Sequence, residues 1–299
     1  MVLEVRNISK SFGKKRILTD VSFGVDRGEI LGFIGPNGAG KTTAIKIILG
    51  LLSADGGTVY INGKNIAENH DEALRSVGAI IESPELYPYL SGRENLMQYA
   101  RLYSLPAARV DECLREVGLY DHRNTKLGKY SLGMRQRIGL AQAMLHLPSL
   151  YVLDEPTNGL DPSGVKDLRE TLVRLASQGA AVLVSSHMLS ELEQFCTKAA
   201  IIEHGRIVDI KTLSGTSPAA ADEKEEYIFC AADNALAAEE LSLLGCNCVS
   251  GEAYVTAAIP RADVPAAVRA VSAKTDLYEV YRRKKSLEDT YLEATHGKI

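Results

Sequence analysis

The sequence predicts an α/β fold: an open, largely parallel sheet covered by helices and carrying a helical insertion, then a small α+β domain. Three observations point there. Short apolar runs at 30–34, 150–153 and 180–184 have the unbroken character of strands buried on both faces. A helical pattern over 162–178 lies between the last two and supplies a crossover. The 299 residues exceed one compact domain but accommodate an α/β domain of roughly 200 residues plus an appendage.

Composition narrows the class. Hydrophobic residues make up 45% and charged residues 24%, a balance that argues against a largely disordered chain. The formal net charge of −4 supplies no basic field, so no nucleic-acid partner is expected. The best apolar stretches, Ala44–Leu52 and Ala180–Val184, are too short to cross a bilayer, and the first contains Lys46. Charges in MVLEVRNISKSF stand where a secretory signal needs apolar residues. Cysteines 113, 196, 230, 246 and 248 form no CxxC pair and read as free thiols. These features suit a soluble, intracellular chain.

In chain order, the first forty residues read as strands and turns, with Leu3, Val5 and Ile30–Ile34 at strand positions and Gly13, Gly24 and Gly28 as punctuation. A helix is expected from about Lys41 to Leu52, and a helical subdomain over about 84–145. The large domain is placed at 1–210. A linker follows at 211–225, where KTLSGTSPAAADEKEE is rich in small and charged residues. Residues 226–299 read as an accessory domain with strands at 227–231, 247–250, 253–258 and 277–282 and helices at 235–244, 263–272 and 287–294. The β-α-β-β-α-β order suggests a ferredoxin-like arrangement.

Two segments carry chemistry. Residues 35–43, GPNGAGKTT, match G-x-x-x-x-G-K-[ST] directly after an apolar strand and before a helix. Gly35, Pro36, Asn37, Gly38, Ala39 and Gly40 form a loop whose backbone N–H groups can turn inward on phosphate oxygens, with Thr43 opening the helix behind it. Lys41 suits the β- and γ-phosphates of a nucleotide, and the Thr42 hydroxyl suits Mg²⁺. The plainer alternative is a tight glycine turn. In LYVLDEP, Asp154 and Glu155 sit at the C-terminal end of a buried strand, where ligands collect in open sheets. Asp154 fits the Mg²⁺ shell and Glu155 the general base; alone, the pair could be two surface acids.

A third segment, YSLGMRQ at 130–136, opens a helix that Ser131 could simply cap. Its place between the phosphate loop and Asp154 gives it another meaning: over residues 2–210 the chain resembles the ATP-binding subunits of ATP-binding cassette (ABC) transporters, a class of P-loop NTPase. The resemblance implies that Ser131 and Gly133 form the signature presented across a head-to-tail dimer to a partner's γ-phosphate; Met134 and Arg135 depart from its commonest form. It further implies dimer contact by Asp161 in NGLDP, γ-phosphate sensing by His187, and adenine stacking by Phe12. From the residues alone, Asp161 could be a helix cap, His187 a structural hydrogen-bonder and Phe12 a core aromatic.

Where most members of that family carry glutamine, VGAIIESPELYP has Glu82, a further candidate Mg²⁺ ligand. With the extension ending SLEDTYLEATHG, this resembles the ATPases of bacitracin-resistance and lantibiotic-immunity exporters. The resemblance implies an ATPase that works as a homodimer, or paired with another ATPase subunit, on the inner face of the cell membrane. There it would drive a separate membrane-spanning permease docked on the 82–90 loop and the helical insertion. A DNA- or ribosome-associated ATPase of the same superfamily, and a module that holds nucleotide without turnover, are the rival classes.

Overall fold

A computed structural model describes residues 1–82, 84–213, 224–251 and 253–283. The chain divides into two compact units, whose described parts are residues 1–213 and 224–283. The first unit begins with β1 (Leu3–Phe12), β2 (Lys15–Val25), β3 (Ile30–Ile34), α1 (Lys41–Ile48), β4 (Gly56–Ile61) and β5 (Lys64–Asn65). It continues through α2 (His70–Leu74), β6 (Val77–Ile80), α3 (Gly92–Leu102), α4 (Ala107–Glu116) and α5 (Leu132–Met144). It closes with β7 (Leu150–Asp154), α6 (Pro162–Ser177), β8 (Ala181–Ser186), α7 (Leu189–Leu192), β9 (Lys198–Glu203) and β10 (Arg206–Thr212).

Two sheets share one core. The antiparallel sheet runs β2-β1-β4-β5, and the larger runs β10-β9-β3-β8-β7-β6, parallel except for the β9–β10 hairpin. All residues of β3 and β7 are buried, which explains why their sequences never alternate. Helix α1 fills the space between the sheets with Ala44, Ile45, Ile47 and Ile48. Full burial of Ile45 and Ile48 stabilises by about 1.5–3 kcal/mol each. The helix stops at Ile48, short of the expected Leu52, because Gly50 (φ 67°) turns the chain away.

Register sets up the site. Ile34 pairs with Ser186, and Asp154 pairs with Ser185. The C-terminal ends of three adjacent parallel strands therefore finish level, at the edge where ligands bind in open sheets.

The helical segment is tied together by polar contacts at its entry. Ser91 and Glu94 form a reciprocal capping box at the start of α3. Asn95, fully buried, accepts the Tyr87 N–H (2.8 Å) and donates to the Tyr87 carbonyl (3.0 Å), which holds the 84–90 loop. Tyr87 and Tyr89 stay 50% and 65% exposed, so neither serves the core. Arg109 donates to the carbonyls of Met144 (3.1 Å) and Leu145 (3.1 Å), satisfying the C-terminal end of α5 from α4.

The second unit contains β11 (Lys224–Ala231), α8 (Asn234–Leu243), β12 (Asn247–Ser250), β13 (Val255–Pro260), α9 (Val264–Ser272) and β14 (Leu277–Arg282). Its antiparallel sheet has the order β12-β13-β11-β14, the split β-α-β connectivity. Phe229, Val255, Ala257 and Ile259 meet Ala237, Leu241, Ala267 and Val271 of the helices in a small core.

The stretch 211–225 differs from the linker expectation at both ends. Lys211 and Thr212 finish β10, and Lys224 and Glu225 begin β11. Strand β10 alternates exposed and half-buried residues, so its composition resembles a loop although β9 pairs its backbone. Residues 214–223 and the expected helix at 287–294 lie outside the described residues. None of the five cysteines is in a disulfide; burial of Cys113 pushes its thiol up to about 11, which keeps it protonated at neutral pH.

Candidate active site

The loop 35–40 leaves β3 and enters α1 with glycines where backbone geometry demands them. Gly38 (φ 83°) and Gly40 (φ 108°) are left-handed, and a Cβ on Gly40 would press on Leu18. No side chain caps α1. Its first N–H groups and the positive end of its dipole therefore face a cleft of about 380 Å³. Gly35 has no room for a side chain, because a Cβ there would run into the Ile202 carbonyl. Gly35→Ala should cost about 1–3 kcal/mol in a thermal melt and weaken nucleotide binding. An unchanged Tm would mean that β9 yields freely.

Lys41 is 6% exposed, yet its ammonium is well served. It donates to the carbonyls of Gly35 (2.7 Å) and Pro36 (3.4 Å) and pairs with Glu155 Oε1 at 3.2 Å. The other carboxylate oxygen of Glu155 lies 2.8 Å from His187 Nδ1. Glu155 thus bridges Lys41 and His187 over the phosphate loop. It does so from a left-handed backbone (φ 48°) whose N–H donates to Ser185 Oγ at 2.9 Å.

Asp154 is 1% exposed and needs compensation for its charge. Thr42 Oγ1 donates to its Oδ2 (2.7 Å) and Ser185 Oγ to its Oδ1 (2.5 Å). A hydroxyl beside a carboxylate, next to a phosphate-shaped loop, suits Mg²⁺, which takes hard oxygen ligands and is usually bound by one or two carboxylates plus substrate phosphates. Among the described residues no cluster of three or more His, Cys, Asp or Glu could hold a metal without such oxygens.

Several expected residues therefore converge: Gly38, Gly40, Lys41, Thr42, Thr43, Glu155 and His187 line one cleft, with Asp154 behind Thr42. Others stand apart. Glu82, at φ 60°, pairs with Lys46 (3.2 Å) and is 70% exposed, with no bond to Thr42 or Asp154. Phe12 is 52% exposed at the end of β1, so it is no core aromatic; its strand partner Lys15 lines the cleft. Ser131 is exposed, caps α5 by accepting the Met134 N–H (3.3 Å), and does not line the cleft. Asp161 caps α6 through the Gly164 N–H at 2.9 Å, with Pro162 at the first helical position.

Lys15, Ile17, Asn158 and Ser185 were not among the residues the sequence singles out. Two of them had a signal: Asn158 opens the NGLDP segment, and two serines, both buried, close the apolar run AVLV in β8.

Comparison with known proteins decides the family. The family described as "ABC transporter" matches residues 18–158. An uncharacterized ABC transporter ATP-binding protein, YhcH of Bacillus subtilis, is 42% identical over 98% of this chain and 96% of its own length. The chain belongs to the ABC transporter ATP-binding proteins. This ABC protein is also 40% identical to the bacitracin transport ATP-binding protein BcrA of Bacillus licheniformis, over 70% of this chain and 69% of that one. A solved ATP-binding subunit of an ABC transporter superimposes with TM-score 0.66 at 36% identity, covering 71% of this chain and 90% of that one. A dimeric cassette in a post-hydrolysis state, bound to ADP and Pi, gives TM-score 0.65 at 25% identity, over 71% and 99%. The α/β expectation holds, with a C-terminal sheet unit beyond the cassette.

Proposed function

We propose that this ABC protein hydrolyses ATP within a dimer and uses the cycle to drive a separate membrane-spanning permease. The observation that carries the reading is the bridge Lys41–Glu155–His187 over the phosphate loop. An incoming triphosphate offers Lys41 a stronger partner than Glu155, through charge-assisted hydrogen bonds, and joins the N–H groups of α1. Glu155, released from Lys41, is then free to accept a proton from water. That water attacks the γ-phosphorus, and the bond to the β-γ bridging oxygen breaks, giving ADP and phosphate. His187 orients Glu155 and the water. Thr42 and Asp154 would hold Mg²⁺, which supplies charge neutralisation at the phosphate oxygens.

The serine of the signature supports a two-chain site. Ser131 and the N-terminus of α5 form an outward-facing anion-binding end, which a second copy's nucleotide could fill. Asp161 borders the same contact, and Phe12 offers an aromatic face to adenine. No helix of the described residues is long and apolar enough to cross a membrane. On this reading the permease is a separate polypeptide, docked at Tyr87, Tyr89 and the helical segment, with this subunit peripheral on the cytoplasmic face. Residues 1–210 act as the nucleotide-binding domain and 226–299 as an accessory domain.

Export of a peptide antibiotic or another amphipathic compound is the cargo reading, supported by the bacitracin and lantibiotic transport relatives. Purified full-length protein should hydrolyse ATP, and a membrane-spanning protein should co-purify from detergent extracts. Stable association with ribosomes or DNA, without membrane, would support the rival instead. Glu82→Gln should shift stability by less than about 1 kcal/mol, since the Lys46 pair is exposed. A change in partner-stimulated turnover in that variant then reports coupling; unchanged turnover and transport would remove any special role for Glu82.

A further inference from the structure

One hydroxyl connects the two acids of the nucleotide cleft. Ser185 of β8 is fully buried (0% exposed), and the strand register sets it beside Asp154 at the end of β7. Its Oγ donates to Asp154 Oδ1 (2.5 Å) and accepts the Glu155 N–H (2.9 Å). A hydroxyl has a single proton and a backbone N–H can only donate, so that proton is committed to Asp154. Both bonds are shielded from water, where losing a partner is strongly destabilising. Ser186, the next residue and 1% exposed, accepts the Met188 N–H (2.9 Å) instead. The two buried serines of β8 serve different partners.

Each bond constrains one acid. With Oδ1 held by Ser185, Asp154 presents Oδ2 to the Thr42 hydroxyl (2.7 Å). With its N–H held, Glu155 keeps a left-handed backbone (φ 48°), uncommon for a residue with a side chain. From that backbone its carboxylate reaches Lys41 (3.2 Å) and His187 (2.8 Å). We propose that Ser185 is a positioning residue for ATP hydrolysis, a single hydroxyl that orients the metal-binding acid and the water-activating acid together. It does not line the cleft, so its effect passes through Asp154 and Glu155. The role presupposes that ATP is hydrolysed at this cleft.

Mn²⁺ replaces Mg²⁺ as a probe visible by electron paramagnetic resonance, titrated into the full chain with a non-hydrolysable ATP analogue. Ser185→Ala should bind Mn²⁺ about 10- to 100-fold more weakly, the range lost with a partner that orients a metal ligand. Turnover at saturating metal should fall in kcat, with KM for ATP near the wild-type value, because Lys41 and its loop are untouched. Ser185→Cys keeps the size of the side chain but is a weak donor and acceptor, so it should fold and lose both in the same direction. Ser185→Thr keeps the hydroxyl on a strand position that suits branching, and should retain both. Ser186→Ala loses a buried hydroxyl one residue on and should leave Mn²⁺ affinity unchanged. Wild-type Mn²⁺ affinity and kcat in folded Ser185→Ala or Ser185→Cys would overturn the proposal. An equal loss of Mn²⁺ affinity in Ser186→Ala or Ser185→Thr would overturn it too, since β8 would then be loosened in general. A wild-type chain that binds no Mn²⁺ with the analogue would overturn ATP hydrolysis at this cleft, and the role of Ser185 with it.

Discussion

Glu155→Gln should hydrolyse ATP about 10²- to 10⁴-fold more slowly than the wild type, the range lost with a general base, while still binding it. With ATP present, the variant should elute as a dimer. The expectation follows from what glutamine keeps and loses. Its amide oxygen can still accept from Lys41, and the position is set by backbone contacts that the substitution leaves alone: the left-handed φ and the N–H bond to Ser185. A carboxylate that takes a proton is gone. Nucleotide therefore enters, draws two chains together, and stays. Size-exclusion chromatography with light scattering, run with ATP and with ADP, reads the difference. A variant that remains monomeric with ATP would show that Glu155 does more than activate water.

Lys41→Ala acts at the other end of the same bridge and should weaken ATP binding by about 3 kcal/mol or more, over a hundredfold. Removing the ammonium deletes the cation from an anion cleft and leaves the Gly35 and Pro36 carbonyls pointing at phosphate oxygens. Before nucleotide enters, it also strips Glu155 of one of its two partners. Equilibrium binding of a fluorescent ATP analogue measures the effect. Unchanged affinity would contradict the role of Lys41, whatever happens to turnover.

On the proposed mechanism the two variants should separate binding from chemistry, because one residue would face the ligand's charge and the other its reaction. The meeting of these residues at one cleft was legible in the sequence. Lys41 and Thr42 follow a glycine loop, and Asp154 and Glu155 end an unbroken apolar strand; both patterns have direct physical causes in backbone access and strand burial. What escaped was tertiary. Ser185 serves Asp154 and Glu155 at once only because β7 and β8 are in register at Asp154 and Ser185. A serine pair after AVLV does not announce which acids it will meet. Lys15 and Ile17 reach the cleft from a hairpin with no motif to mark them, and Asn158 reaches it from the NGLDP turn, where only Asp161 was singled out.

Strand β10 was hidden for a different reason. Four of its seven residues are exposed, and composition alone made its end look like linker. Glu82 illustrates the limit of position by analogy: the residue stands at the expected place in the chain, but its side chain is spent on Lys46 at the surface. For Ser131 and Asp161, the cap and the functional role are compatible. A serine that caps α5 presents the same helix N-terminus to an anion, and the bond that fixes its rotamer pre-organises it for that task.

The proposed cycle requires two chains to pair around one nucleotide. A crystal structure of the Glu155→Gln variant grown with ATP and Mg²⁺ tests it directly. Ser131 Oγ of each protomer should lie within hydrogen-bond reach of the γ-phosphate held by its partner's 35–43 loop. A γ-phosphate contacted solely by residues of the chain that binds it, in every pairing within the crystal, would contradict it.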